Sequence, residues 1–130
     1  MKLAFSTRYM EDMPLAGYLS LAKAQKFSAV EIYDMNKECF LGEKPSFLKA
    51  GIPSTKRKLL NSGIAISQLD IPCDISDEEK YNENLVKAYD IIDAASDLNV
   101  DFVKVFASGS IDIAERFIGE LIERACERNV

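Results

Sequence analysis

The sequence predicts an α/β fold: four consecutive βα units with parallel strands, which amount to half of a (β/α)8 barrel. Short runs of strand-forming residues alternate four times with longer stretches whose apolar residues recur at i, i+3 and i+4. The loops that follow the strands are long, whereas those that precede them have one to three residues. Function is therefore expected at the carboxyl ends of the strands.

Two further observations favour a half barrel over a small doubly wound, flavodoxin-like sheet with strand order 2-1-3-4. No glycine-rich phosphate loop follows the first strand, which continues as Ser-Thr-Arg-Tyr. The chain ends on Asn129-Val130, and the similar pair Asn99-Val100 immediately precedes the fourth strand. We therefore expect residues 1–130 to be a single domain and the N-terminal part of a longer chain, or else a natural half barrel that pairs with itself.

The first two units are defined by alternating strands and by helix signals. Residues 2–7 and 27–34 are predicted strands, since apolar side chains alternate along both. The helix between them is expected to begin at Asp12, which can cap it. A long irregular stretch over residues 35–53 leads to the second helix, which Gly63 is expected to end in a left-handed conformation.

The last two units follow the same order. Residues 64–71 form the predicted third strand, and Pro72 is expected to stop it because proline cannot donate to a ladder. Ser76 and Glu79 fit a capping box, which predicts a helix from Asp77 to about Leu98. Residues 101–107 are the predicted fourth strand, and the last helix follows a loop over residues 108–112.

Composition excludes several classes of protein. The net charge of -5 argues against a nucleic-acid-binding surface, and no apolar run approaches the ~20 residues of a membrane span. We accordingly expect a cytoplasmic protein without a nucleic-acid or membrane partner. The chain has no histidine, which removes the Ser-His-Asp and Cys-His arrangements. Its three cysteines are widely spaced and are expected to be reduced, structural thiols.

Glu31 is the main functional clue, because it lies on the second predicted strand and faces away from Val30 and Ile32. A buried carboxylate must be paired, neutralised or used. Lys104 on the fourth strand also faces away from the Val/Ile side, and alternate strands of a barrel contribute to one interior layer. We predict an ion pair between Glu31 and Lys104 near the floor of a sugar pocket. A purely structural buried pair is the alternative.

Asp70, Tyr9 and Phe40 complete the predicted substrate-binding set. Asp70 lies at the end of the third strand, as Asp34 does at the end of the second, and each is a candidate to bind substrate hydroxyls or a metal-bound water, or else to cap a loop or helix. Tyr9 and Phe40 can pack against a bound sugar ring, although aromatic residues more often pack under a loop. No catalytic residue and no metal ligand is assigned.

The segments MKLAFST at residues 1–7, FSAVEI at 27–32 and VKVF at 103–106 resemble the xylose isomerase-like TIM barrel superfamily. That superfamily includes sugar phosphate isomerases and epimerases and family 2 AP endonucleases. The resemblance covers the first four of the family's eight units. It implies a divalent metal (Mn, Mg, Zn or Co) in the full-length enzyme, held by later strands, so no cofactor is expected within these residues. The absence of histidine here argues against nuclease activity.

We therefore interpret the chain as the N-terminal half of a divalent-metal-dependent sugar or sugar phosphate isomerase or epimerase, inactive as it stands. Whether it is an enzyme depends on the missing C-terminal half. The competing hypothesis is a non-catalytic half-barrel module that homodimerises through its exposed strand edges.

Overall fold

The computed structural model describes residues 1–35 and 47–129, which form four strands alternating with four helices. The strands are β1 (Ala4–Ser6), β2 (Ala29–Ile32), β3 (Ala65–Asp74) and β4 (Val103–Phe106). The helices are α1 (Leu15–Ala24), α2 (Ile52–Ser62), α3 (Tyr81–Leu98) and α4 (Ile111–Arg128). This is the predicted succession of βα units.

The strands of the described chain are all parallel and lie in the order β1-β2-β3-β4. Each helix contacts the next one along the chain. With the usual right-handed crossovers, this strand order places every helix on the same face of the sheet, whereas the order 2-1-3-4 would place helices on both faces. The structure thus confirms half of a (β/α)8 barrel and excludes the flavodoxin-like alternative.

The core lies between the helices and one face of the sheet. Val30 is fully buried and Leu69 is 1% exposed on the central strands. The helices cover them with apolar side chains, of which the largest fully buried ones are Leu15, Ile91 and Phe117. The other face of the sheet carries polar side chains from all four strands, and no described helix covers it.

Left-handed residues end three of the helices, and after α2 and α3 they allow the short connections into the next strand. Gly63 has φ = 71° and ends α2 as predicted. Asn99 has φ = 55° and ends α3, where the Val100 N–H donates to Ala95 O at 2.9 Å. This backbone pattern satisfies carbonyls that the helix leaves unpaired. Within the described residues, no helix combines the length and the apolar character needed to cross a membrane.

The prediction that Pro72 ends the third strand is wrong, because β3 continues through it to Asp74. The pairing with β4 passes from Asp70–Lys104 to Asp74–Phe106, so four residues of β3 accompany two of β4. Pro72 lies inside this bulge, where a donor is not needed for the ladder. The bulge extends β3 toward the loops that follow the strands.

Two helix starts also differ from the prediction. Helix α1 begins at Leu15, and Pro14, rather than Asp12, is its N-cap; it makes no side-chain cap hydrogen bond. The carbonyl of Pro14 accepts from the Gly17 N–H at 2.8 Å, so the first helical turn starts there. Helix α3 begins at Tyr81, not at Asp77. The Ser76 hydroxyl, which was expected to cap this helix, is hydrogen-bonded to Asp74 and Gly109 instead.

Candidate functional site

A lysine lies between two carboxylates on the face of the sheet that the helices leave open. Lys104 Nζ is 2.7 Å from Glu31 Oε1 and 2.7 Å from Asp70 Oδ2. Lys104 pairs in register with Asp70 on the neighbouring strand, and its side chain extends over β3 to reach β2. The predicted contact between Glu31 and Lys104 is present, and Asp70 joins it. We call these three residues the acid–lysine triad.

Two neutral side chains orient the carboxylates of the triad. The Ser6 hydroxyl donates to Glu31 Oε1 at 2.7 Å, and Gln68 Nε2 donates to Asp70 Oδ1 at 3.0 Å. Gln68 is the register partner of Glu31 because the pairing of β2 with β3 shifts by one residue; in a regular ladder, Ser67 would lie there. The bulge therefore brings Gln68 and Asp70 to the same side of the sheet as Glu31.

The electrostatics of the triad favour a charged Glu31 and a charged Lys104, with Asp70 the easier of the two acids to protonate. Burial raises the pKa of Asp70, whose side chain is only 3% exposed, and the bonds from Lys104 and Gln68 offset part of that effect. Burial also opposes the ionisation of Glu31, but hydrogen bonds from Lys104 and Ser6 outweigh it and lower its pKa. Burial opposes the charge of Lys104 as well, yet the two acids raise its pKa.

Asp70 and Lys104 of the triad border a cleft at the carboxyl ends of the strands, where function was expected. Residues 70–74 of β3 and 104–106 of β4 form two of its walls, and Arg8 and Tyr33 form another. The cleft has a volume of about 330 Å³, within the range of small-molecule sites. Burial raises the pKa of the Cys73 thiol in the cleft wall, which disfavours the thiolate that a nucleophile needs.

A carboxylate at the end of β3 fastens the loops on either side of the cleft. Asp74 Oδ1 accepts from the Ser76 hydroxyl at 2.5 Å, and Asp74 Oδ2 accepts a short hydrogen bond from the Ser108 hydroxyl. The Ser76 hydroxyl oxygen in turn accepts from the Gly109 N–H at 2.7 Å. The hydroxyl bonds from Ser108 and Ser76 hold the pKa of Asp74 well below its usual value. Ser76 therefore joins the two loops instead of capping α3.

The other predicted site residues are distributed differently. Tyr9 is 88% exposed next to the cleft, with its ring against Arg8, so it is not packed under the described residues. Asp34 is half-buried and borders a separate small cavity with Tyr18 and Phe47. Phe40 lies outside the described residues. The structure therefore brings together Glu31, Asp70 and Lys104 from the predicted set.

Sequence reasoning missed Arg8, Gln68 and Asp74. Arg8 lies two residues beyond the end of β1, at the end of the sheet where sites were expected, and that position was the available signal. Asp74 was hidden by the false strand end at Pro72. Gln68 had no sequence signal, because a bulge rather than regular alternation decides which way it faces.

The triad does not fit the divalent metal that the resemblance implies for a complete enzyme. Glu31 and Asp70 share the ammonium of Lys104, which supplies the positive charge that a cation would bring and repels one that approaches. Among residues 1–35 and 47–129, no three Asp, Glu, Cys or His side chains come together as possible ligands. We therefore assign no metal ligand to the residues described.

Comparison with solved structures identifies relatives of the fold. A xylose isomerase domain protein from Planctomyces limnophilus matches 98% of this chain with a TM-score of 0.70 and 14% identity, over 49% of its own length. A xylose isomerase-like TIM barrel/4-hydroxyphenylpyruvate dioxygenase fusion protein matches all of the chain with a TM-score of 0.67 and 21% identity, over 21% of its length. A protein of Sinorhizobium meliloti 1021 matches 98% of the chain with a TM-score of 0.63 and 15% identity, over 48% of its length.

The chain thus spans half or less of each of these structures. No family model matches its sequence, and no curated protein matches it. The identities are too low to transfer an activity, so the likeness concerns the fold. The predicted resemblance is confirmed at that level: the chain has the fold of half of a xylose isomerase-like TIM barrel.

Proposed function

We propose that this chain forms the N-terminal half of the active site of a sugar or sugar phosphate isomerase or epimerase, and that it is inactive without the second half of the barrel. The acid–lysine triad is the observation that carries the proposal. It lies on the open face of the sheet, beside a cleft at the carboxyl ends of parallel strands. In (β/α)8 enzymes this is where substrates bind.

The triad suits a polyol or keto sugar because it offers acceptors and donors side by side. The carboxylate of Glu31 accepts hydrogen bonds from sugar hydroxyls, and the ammonium of Lys104 donates to a carbonyl or hydroxyl oxygen. The raised pKa of Asp70 makes it the acid of the triad that most readily holds a proton. In this proposal the triad binds and orients the sugar, while the base that moves the carbon-bound proton belongs to the second half.

A divalent metal polarises sugar oxygens when it is bound in a complete enzyme of this kind. Its ligands would come from the second half, since the triad does not fit a metal. The role proposed for Glu31, Asp70 and Lys104 therefore involves no metal.

Replacing Glu31 with glutamine tests the pocket role in the complete enzyme. Glutamine keeps the shape of the side chain but removes the charge that pairs with Lys104 and accepts from the sugar. We expect kcat/KM on a sugar phosphate to fall roughly tenfold to hundredfold, the usual effect of losing one charge-assisted hydrogen bond. Turnover and urea unfolding should be measured on the same preparation.

The matched control is Glu83→Gln, which removes a carboxylate from an exposed ion pair with Lys87 on α3. This control is expected to leave turnover unchanged. Unchanged turnover in Glu31→Gln, with unchanged stability, would rule out the pocket role. Loss of stability alone would point to a purely structural pair.

A second candidate function, a non-catalytic module that homodimerises, is supported by the apolar surface at one edge of the sheet. Phe102, which immediately precedes the edge strand β4, is 68% exposed, and Phe106, the last residue of β4, is 56% exposed. On α4, Ile118 and Ile122 are 37% and 57% exposed, on the flank away from the Arg124 side that contacts α3. Two copies related by a two-fold axis could pair β4 of each with β1 of the other and close an eight-stranded barrel.

Light scattering on the 130-residue chain tests this candidate. The module hypothesis expects twice the monomer mass of 14.5 kDa. Joint replacement of Ile118 and Ile122 by glutamate should then return the chain to a monomer, because both carboxylates would be desolvated in the interface. Val86→Glu, at a 62% exposed apolar position on α3, is the control and should leave the dimer intact. A monomer at all concentrations would contradict the hypothesis.

A further inference from the structure

Arg8 occupies an unusual position at the mouth of the cleft. It follows β1, and its guanidinium carbon lies 5.3 Å from the ring centre of Tyr9 and 5.0 Å from that of Tyr33. Aromatic rings attract a cation electrostatically, and stacking against them limits the movement of the planar guanidinium. Arg8 is nevertheless exposed to solvent, and it lines the cleft together with Tyr33.

The loop that carries Arg8 is fastened to the neighbouring strand. The Thr7 N–H donates to Glu31 O at 3.0 Å, and the Tyr33 N–H donates to Thr7 Oγ1 at 3.0 Å. The Arg8 N–H donates to the Ser6 hydroxyl oxygen at 3.3 Å. Arg8 and Tyr33 are thus held side by side by the ends of β1 and β2, and the site needs little ordering when a ligand binds.

The charges around the cleft leave Arg8 as a cation available to a ligand. Lys104 is engaged by Glu31 and Asp70, and the carboxylate of Asp74 is bound by serine hydroxyls. In the part of the chain that the structure describes, no carboxylate forms an ion pair with Arg8. An exposed guanidinium in a cleft, held by rings rather than by an acid, is suited to an oxyanion.

We propose that Arg8 binds the oxyanion of an anionic sugar, either a phosphate or a carboxylate, while the acid–lysine triad binds its hydroxyls. The inference rests on the proposed function and narrows its substrate class from sugars in general to charged sugars. The fork of N–H groups on a guanidinium matches two oxygens of either group, and Tyr33 keeps the fork at the cleft wall. A neutral sugar would leave Arg8 without a partner.

Binding to the 130-residue chain tests this inference without requiring turnover. D-ribose 5-phosphate, D-glucuronate, D-ribose and inorganic phosphate should each be titrated by NMR into the unmodified chain and into Arg8→Gln. We expect the anionic sugars to bind at least tenfold more weakly to Arg8→Gln, with D-ribose unaffected, since one charge-assisted contact is lost. Arg57→Gln, which removes an exposed arginine on α2 outside the cleft, should match the unmodified chain.

The outcomes separate this inference from the function on which it rests. If ribose 5-phosphate binds more strongly than glucuronate, the oxyanion is a phosphate. If glucuronate binds more strongly, it is a carboxylate. Equal binding of ribose and ribose 5-phosphate, unaffected by Arg8→Gln, overturns the oxyanion site but leaves the sugar function standing. Arg8-dependent binding of inorganic phosphate that no sugar strengthens supports the oxyanion site and contradicts the sugar function. Binding of none of the four probes overturns the inference.

Discussion

Replacing Lys104 with methionine is expected to lower the free energy of unfolding by about 1–2 kcal/mol at pH 7. The substitution leaves the Asp70 carboxylate, 3% exposed, without its ion-pair partner and facing the charge of Glu31. Breaking a fully buried pair costs about 3–5 kcal/mol. The smaller figure applies because the Lys104 side chain is 48% exposed and water screens part of the interaction. Urea unfolding monitored by circular dichroism measures the loss.

The stability of Lys104→Met should move closer to that of the unmodified chain as the pH falls. Burial already raises the pKa of Asp70 above its ordinary value of 3.8, and removing Lys104 removes a group that lowers it. At pH values between the pKa of Asp70 in the unfolded state and its higher pKa in the folded state, Asp70 carries a proton in the folded chain but not in the unfolded chain. Stability therefore rises on acidification in that interval, and the gap between Lys104→Met and the unmodified chain should narrow below neutrality.

Two further variants separate an unpaired charge from lost packing. Adding Asp70→Asn to Lys104→Met removes the buried charge and should restore much of the lost stability at pH 7. Lys87→Met is the matched control, because Lys87 pairs with Glu83 in an exposed contact on α3 that water screens, and its removal is expected to leave the stability nearly unchanged. A double variant no more stable than Lys104→Met would contradict the electrostatic account.

Alternation and helical periodicity were sufficient to predict the fold class and the four βα units. The boundaries were less accurate where tertiary contacts override a local signal. Pro72 is tolerated inside β3 because a bulge removes the need for its missing donor. The hydroxyl of Ser76 binds Asp74 and Gly109 in the folded chain, so its capping signal was not used. The bulge arises from the pairing of β3 with β4, and the Gly109 contact joins residues 33 positions apart, so neither can be derived from neighbouring residues in the sequence.

The candidate site was partly predictable for the same reason. Glu31 and Lys104 were expected to meet because regular alternation places them on one face, and the contact is present. The participation of Asp70 depends on the register shift between β2 and β3, which brings Asp70 to the same side of the sheet as Glu31. Arg8 was missed because its candidate role depends on the aromatic rings that it contacts, and one of them, Tyr33, is 25 residues away along the chain.

Replacing Phe117 with alanine is expected to cause the largest loss of stability, about 3–4 kcal/mol. Phe117 on α4 is fully buried, and its ring makes a T-shaped contact with that of Tyr81 on α3, with centroids 5.3 Å apart. The truncation removes a large apolar area and leaves a cavity between the two helices that surrounding side chains refill only in part. A shift in the midpoint of urea unfolding with an unchanged slope would show a loss of stability in a fold that remains intact.

Ile122→Ala is the matched control, because Ile122 lies on the same helix but is 57% exposed. In a monomer this control should cost under about 0.5 kcal/mol. If a second copy or the other half of a barrel covers that flank, Ile122→Ala will instead weaken the assembly while Phe117→Ala weakens each half. A loss below about 1 kcal/mol in Phe117→Ala would mean that α4 does not pack on the sheet as described, and would also undermine the placement of Lys104, since α4 directly follows β4.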